Sequence, residues 1–229
     1  MVSKREPSHF KTTVSRTPGW LAWSILIGVT VLVAGLYWSR ATTPVQIHDV
    51  YQGTALSGLA PDFRLVDQNN KPVALSDLRG RVVALTFFDS LCADVCPLTA
   101  HHFRMAYQAL GAEAPVTFVA VNVNLQANTV ADVLATTQRW RLDEVPVWHF
   151  LTGSQAELEP VWQAYNVAVL PTEAGALMHT PGVYLIDQQG QKRWYVSVPF
   201  DETGGSSGLT PLSELLVQHI QELLEEATR

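Results

Sequence analysis

The chain has 229 residues, 47% of them hydrophobic and 16% charged, with a formal net charge of −6. That length holds one domain of about 150 to 180 residues with segments to spare, and the composition excludes a wholly disordered chain. The charge is uneven: residues 1–19 carry Lys4, Arg5, Lys11 and Arg16 against Glu6, so the rest of the chain stands at −9. That acidic balance argues against a nucleic-acid surface on the main domain.

After the basic tail (residues 1–19), the run from Trp20 to Trp38 is uncharged, with Trp20 and Trp23 at one border and Tyr37 and Trp38 at the other. At about 1.5 Å per residue it spans roughly the 30 Å hydrocarbon core of a bilayer. It reads as a transmembrane anchor over 20–38. A cleaved signal peptide would have a shorter apolar region and a small-residue cleavage site, which Ser39-Arg40-Ala41 fits poorly. Positive charge on the N-terminal side predicts that the N-terminus lies inside and the rest of the chain outside. Residues 39–57 have little periodicity and read as a tether, leaving 58–229 as the main domain.

That domain opens with two short apolar runs, Asp62 to Asp67 and Pro72 to Leu75. The turn Gln68-Asn69-Asn70-Lys71 joins them as a hairpin. Val82 to Phe88 is a continuous apolar, β-branched and aromatic run, predicting a strand buried on both faces. Cys92 and Cys96, the only cysteines, follow in a loop, and Pro97 opens a helix that runs through Leu98–Leu110 to Gly111. Val116–Val123 reads as a second buried strand, Thr129–Trp140 as a helix and Val147–Leu151 as a strand. Ser154–Tyr165 reads as a helix with Ser154 and Glu157 in capping-box spacing. Val183–Asp187 and Lys192–Val198 form a hairpin across Gln188-Gln189-Gly190. Asp201–Gly208 is a loop, and Leu212–Glu226 is an amphipathic helix. Strands and helices in this order predict an α/β domain of three layers with a mixed sheet.

The two thiols sit between a strand and a helix N-terminus, where the helix dipole favours thiolate. A disulfide closing so short a loop adds little stability, so the pair reads as redox-active or as metal ligands rather than as a staple. Two sulfurs leave a soft metal undercoordinated. The best third ligand is His179, just ahead of a strand predicted near the central one, at the sheet end where ligands gather.

At these residues the sequence resembles a known family. Cys92-Ala93-Asp94-Val95-Cys96-Pro97 resembles the Cys-Pro-Asp-Val-Cys-Pro motif of the Sco/SenC family of membrane-anchored copper chaperones. His179, with Asp187 beyond it, resembles that family's His-Ser/Thr…Tyr-Leu-x-Asp segment. Phe150-Leu151-Thr152-Gly153 and Ala164-Tyr165-Asn166-Val167 are similar to two further landmarks. The resemblance runs from about Gly58 to the C-terminus. It implies a thioredoxin-like three-layer α/β/α domain and copper, as Cu(I) or Cu(II), held by Cys92, Cys96 and His179. It also implies a role in loading the binuclear copper centre of cytochrome c oxidase, with that copper-site subunit as partner. A thiol reductase is a second partner, because ligand thiols must stay reduced in an oxidising compartment. The implied place is a bacterial inner membrane with the domain in the periplasm, or the mitochondrial intermembrane space. The absence of an Arg- and Ser-rich presequence favours the bacterial alternative.

Three features depart from the family pattern. Ala93 stands where the motif has Pro. Asn124-Leu125-Gln126-Ala127-Asn128-Thr129 stands where the family has Asp-Pro-x-Arg-Asp-Thr, so both acids are Asn and the Arg is absent. Pro181 falls where thioredoxin-like oxidoreductases carry a cis-proline, which predicts a cis Thr180–Pro181 bond. Two other functions therefore stay open. One is a membrane-anchored thiol–disulfide oxidoreductase, with Cys92 and Cys96 as the catalytic pair and His179 dispensable. The other is a thiol peroxidase, since Asp62–Gly80 also resembles the entry of peroxiredoxin-type domains; it would need an Arg beside the thiolate, and the nearest after the motif is Arg104.

Other candidates have plainer readings. His101 and His102 are expected on a solvated helix face, His149 as a satisfied strand histidine, and Met105 and Met178 chiefly as apolar filler. Asp94 ranks next after the ligands. Trp140, Trp148, Trp162 and Trp194 are core or surface aromatics, and Glu222, Glu225 and Glu226 a solvated helix face.

Overall fold

A computed structural model describes residues 19–41, 53–171, 177–197 and 210–227. The chain divides into two compact units, Met1–Val45 and Gln46–Arg229. In the first, Gly19–Ala41 form a helix of 23 residues, α1. The hydroxyls of Ser24 and Thr30 donate back to the carbonyls of Trp20 (2.8 Å) and Leu26 (2.5 Å), which satisfies them within the helix. Several α1 side chains lie outside the described set, and among the described residues no helix is long and apolar enough to cross a membrane. The basic tail and the predicted loop at Asp201–Gly208 also lie outside it.

The second unit is built on a six-stranded sheet. Its strands are β1 (Thr54–Ala55), β4 (Val82–Phe88), β5 (Val116–Asn122), β6 (Trp148–Leu151), β9 (Val183–Ile186) and β10 (Lys192–Val196), in the spatial order β1-β10-β9-β4-β5-β6. β4, β5 and β6 run parallel, whereas β9 is antiparallel to β4, β10 to β9 and β1 to β10. β1 was not foreseen, because its two residues fall within the stretch that reads as tether.

All seven residues of β4 are buried, and so are all seven of β5. In β4, Val82, Ala84 and Phe88 face one apolar core while Val83, Leu85 and Phe87 face the other. A central strand with helices or loops on both faces has no polar side to show, which is why its sequence lacks alternation.

The first core is closed by helices α2 (Val95–Leu110), α3 (Val130–Arg139) and α5 (Leu212–Glu226) through Phe103, Val133, Leu216 and Ile220. The second is closed by the hairpin β2 (Arg64–Val66) and β3 (Pro72–Ala74), and by α4 (Gln155–Ala164) through Leu158, Val161 and Trp162. The predicted three layers are thus present. Phe88 is the hub of the first core, with ring contacts to Phe103, Trp140, Trp148 and Phe150 at 5.4–6.3 Å.

β6 is an edge strand, and the N-terminal hairpin covers it. Gln68 lies in the hairpin's turn, yet it is buried. Its side-chain amide donates to the carbonyl of Trp148 (3.2 Å) and its oxygen accepts the N–H of Phe150 (2.8 Å), so it occupies the exposed side of the ladder as a neighbouring strand would. His149 Nδ1 lies 3.1 Å from the carboxylate of Asp67, the satisfied strand histidine that was expected.

A short hairpin, β7 (Val169–Pro171) with β8 (Leu177–His179), lies outside the main sheet and was not legible in the pattern. It carries His179.

Candidate metal centre

Topology brings the cysteines and His179 to one place. Because β9 is antiparallel to β4, its first residue Val183 pairs with Thr86 near the end of β4. The segment that enters β9 therefore arrives where the cysteine loop leaves β4. Two bonds to its carbonyls pin it there: Thr86 Oγ1 donates to Gly182 (2.8 Å) and Tyr195 OH to Pro181 (2.6 Å). The N–H of Thr180 donates to Ala168 (3.2 Å) and the N–H of Ala168 to Thr180 Oγ1 (3.2 Å), which ties the segment to β7.

The cysteines are not equivalent. α2 begins at Val95, so Cys96 lies in its first turn rather than in the loop, and only Cys92 remains on the loop. Cys96 is 1% exposed, packed with Ala100 and Phe103 in the first core, while Cys92 is half-buried. Both are free thiols. The N–H of Cys96 donates to Cys92 Sγ (3.4 Å), and Cys96 Sγ lies 3.6 Å from His179 Nε2. His179 Nδ1 lies 3.3 Å from the carbonyl of Thr180, a contact that favours its hydrogen on Nδ1 and leaves Nε2 free to face the sulfur. Asp94 is the N-cap of α2: its carboxylate accepts the N–H of Val95 (2.7 Å) and the thiol of Cys92 (3.2 Å).

The electrostatics follow from these bonds. The Cys92 pKa falls to about 7, chiefly because the Cys96 thiol donates to it; burial opposes, the Cys96 N–H assists, and the Asp94 carboxylate works against it. Cys96 is pushed strongly up by the same bond and by burial. Burial lowers His179, against the Thr180 carbonyl and the charge of Asp89, so the imidazole is neutral with a lone pair to give. Asp94 is held below the usual carboxylate range by the Val95 N–H and then by Cys92.

Two thiols and a neutral imidazole are a donor set suited to copper, soft enough for Cu(I) and nitrogenous enough for Cu(II). Among the described residues, no three His, Cys, Asp or Glu side chains are already drawn into a metal-holding cluster. Cys96 and His179 meet; Cys92 stands above the first turn of the helix. An open groove of ≈ 680 Å³ beside them is lined by Cys92, Val95, Leu170, Met178, His179 and Pro181, among others. Met178 is 62% exposed there, whereas Met105 lines a different groove, between α2 and α5.

The cis Thr180–Pro181 bond does not occur: among the described residues every peptide is trans. Trans is the ground state of an X–Pro bond; at the next residue, Gly182, a Cβ would fall on the Tyr195 ring. His101 is exposed as expected, but His102 is half-buried, 3.3 Å from Ser213 of α5. Trp140, Trp148 and Trp162 are core, and Trp194 stacks on His219 at 4.3 Å. Arg104 is paired with Glu144 at 3.0 Å, and the arginine at the cysteine loop is Arg139, which donates to the Ser90 carbonyl (2.6 Å).

Sequence reasoning missed Asp89, and singled out Asn124 only as a departure from the family's acid. Asn124 Nδ2 donates to Asp89 Oδ1 (2.7 Å), and both residues are buried beneath the cysteine loop. A polar pair, Asp89-Ser90, directly after an apolar strand was the available signal.

The family model for SCO1/SenC matches residues 52–203. A candidate copper-binding protein of Stutzerimonas stutzeri is 25% identical over 150 residues, covering 63% of this chain and 72% of that one. The structure of Bradyrhizobium japonicum ScoI with copper bound is similar at 27% identity and a TM-score of 0.56, over 72% of this chain and 99% of that one. A SCO1/SenC family lipoprotein from Bacillus anthracis is 25% identical with a TM-score of 0.62, over 75% of this chain and 98% of that one.

Proposed function

The chain belongs to the SCO1/SenC family, and from that premise we propose that it is a membrane-anchored copper-binding assembly factor for cytochrome c oxidase, with Cys92, Cys96 and His179 as the copper ligands. The observation that carries this reading is the meeting of Cys96 Sγ and His179 Nε2 at 3.6 Å across 83 residues of sequence. Copper is the cargo here. Cys92, half-exposed and already partly thiolate near neutral pH, makes the first contact through the groove. Closing Cys92 onto Cys96 and His179 completes the set and expels the thiol protons, which costs least at the sulfur with the lowered pKa. The relative from Bradyrhizobium japonicum, solved with copper bound, supports the assignment of the metal.

The segment 20–38 anchors the protein in the membrane, with the N-terminus inside and the domain outside. The client is the copper-site subunit of the oxidase, and a thiol reductase keeps the pair reduced.

A second reading has its own support. One thiol near pKa 7 over a sealed partner is also the arrangement of a disulfide-exchange pair, in which Cys92 attacks and Cys96 resolves. His179 separates the two readings. Titration of the reduced, metal-free chain with Cu(I) against a competing chelator is expected to give one copper per chain, with affinity falling at least tenfold (about 1.4 kcal/mol) in His179→Ala. No copper, or equal affinity without His179, leaves the oxidoreductase as the function.

A further inference from the structure

The floor of the cysteine loop is a polar brace built into an apolar core. Asp89, Ser90, Asn122 and Asn124 are all buried, Asn122 completely and Asn124 at 4% exposure. Asp89 Oδ1 accepts two bonds, from the side-chain amide of Asn124 (2.7 Å) and from the N–H of Leu91 (2.7 Å). The carbonyl of Asp89 accepts the N–H of Cys92 at 3.0 Å. One residue thus carries the chain from the end of β4 to the first thiol, and Asn124 holds that residue.

Asn124 is itself fixed on every other side. Its oxygen accepts the N–H of Gln126 (2.9 Å), and its own N–H donates to Asn122 Oδ1 (3.2 Å). Asn122 Oδ1 also accepts the hydroxyl of Ser90 (3.1 Å), and the Asn122 amide donates to the carbonyls of Asn124 (3.0 Å) and Ala127 (2.9 Å). The Ser90 carbonyl is gripped by Arg139 (2.6 Å) and Thr136 (3.2 Å) of α3. The only part of Asn124 directed at the loop is therefore its NH₂ group. A carboxylate in its place has no hydrogen to give, and would set two acceptors face to face in a buried site.

We propose that Asn124 is a positioning residue for the Cys92–Cys96 pair: its amide clamps the Asp89 side chain, and through it the backbone that presents Cys92. The inference rests on the dithiol site proposed above but does not require that the cargo be copper. It also gives a physical meaning to the Asn that departs from the family's acid, since in this chain the amide supplies the donor that the buried Asp89 carboxylate requires.

The test uses the full chain in detergent and three variants: Asn124→Asp, Asn124→Ser and Asp89→Asn. Leu91 and Asn124 both donate to Asp89 Oδ1, so D89N keeps an oxygen that accepts both bonds. Two readouts are taken: the reduction potential of the Cys92–Cys96 pair, which needs no metal, and Cu(I) affinity by chelator competition. The brace is seen with both thiols free, so its loss removes stabilisation from the dithiol. N124D is expected to move the pair towards disulfide by at least tenfold in the exchange equilibrium, about 30 mV more negative, and to weaken Cu(I) at least tenfold. D89N is expected within threefold of the parent on both. N124S, whose hydroxyl is too short to reach Asp89, decides the matter at lower packing cost if N124D does not fold; it is expected to shift in the same direction. Unchanged potentials in N124D or N124S, or a D89N shifted as far as N124D, overturn the proposal. If the potentials behave as stated and the parent chain ignores copper, the clamp stands and the copper reading falls.

Discussion

A thiol half out of the surface and another sealed beneath it, four residues apart, do different chemistry. Cys92 owes its depressed pKa first to the Cys96 thiol that donates to it, so the perturbation belongs to the pair and not to the helix end alone. In the metal-free chain, the alkylation rate of Cys92 is expected to rise through a midpoint near pH 7. Below that midpoint the sulfur is protonated and slow; above it, thiolate and fast. Cys96→Ala removes the donor, and the midpoint is expected to move up towards the ordinary thiol range; a pH series of mass-spectrometric labelling measures both. The segment carrying His179 is equally specific. Gly182 admits the Tyr195 ring where any Cβ would collide with it, and Tyr195 OH holds the Pro181 carbonyl. Gly182→Ala is expected to destabilise the domain by about 1–3 kcal/mol through overpacking, read by urea denaturation, and to weaken Cu(I) binding because His179 loses its anchor.

At the scale of elements, the apolar run of β4 identified the central strand because burial on both faces erases alternation. Its neighbours were legible for the same reason. β7 and β8 were not, because three-residue strands carry too few positions for a period to show. The N-terminal hairpin was legible as a hairpin, but its role at the edge of β6 was not, since it depends on Gln68 meeting a strand 80 residues away. Gln68→Ala leaves a buried N–H and a buried carbonyl of β6 without partners. It is expected to cost about 1–3 kcal/mol and to raise hydrogen exchange at Phe150, measured by NMR or mass spectrometry. Phe88→Ala opens a cavity between four aromatic rings at the end of β4. It is expected to cost about 3–5 kcal/mol by the same denaturation assay.

For the whole molecule, the acidic domain and the basic, apolar N-terminal region call for different surroundings. The full chain is expected to sediment with membranes and to leave them only in detergent, resisting high salt and alkaline carbonate. A chain lacking residues 1–41 is expected to be released, which membrane fractionation would show. A full chain released by salt alone would refute the proposed anchor. The placement of site residues also belongs to this scale. An antiparallel β9 beside a parallel β4–β5 pair is what returns the chain to the cysteine end of the sheet, so that His179 arrives from 83 residues downstream.

From its sequence alone the chain determined its class, its central strands, the two thiols and the histidine to set beside them. Each of these rests on local chemistry: apolar runs, cap spacing, soft ligands at a strand end. Tertiary structure decided which thiol is exposed, which nitrogen of His179 faces the sulfur, that Pro181 is trans and Gly182 lies against the Tyr195 ring, and that Asp89 and Asn124 lie clasped under the loop. Those depend on residues far apart in the chain reaching hydrogen-bonding distance inside a packed core. A buried polar group must find its partner wherever the fold brings one, and no local pattern records where that is.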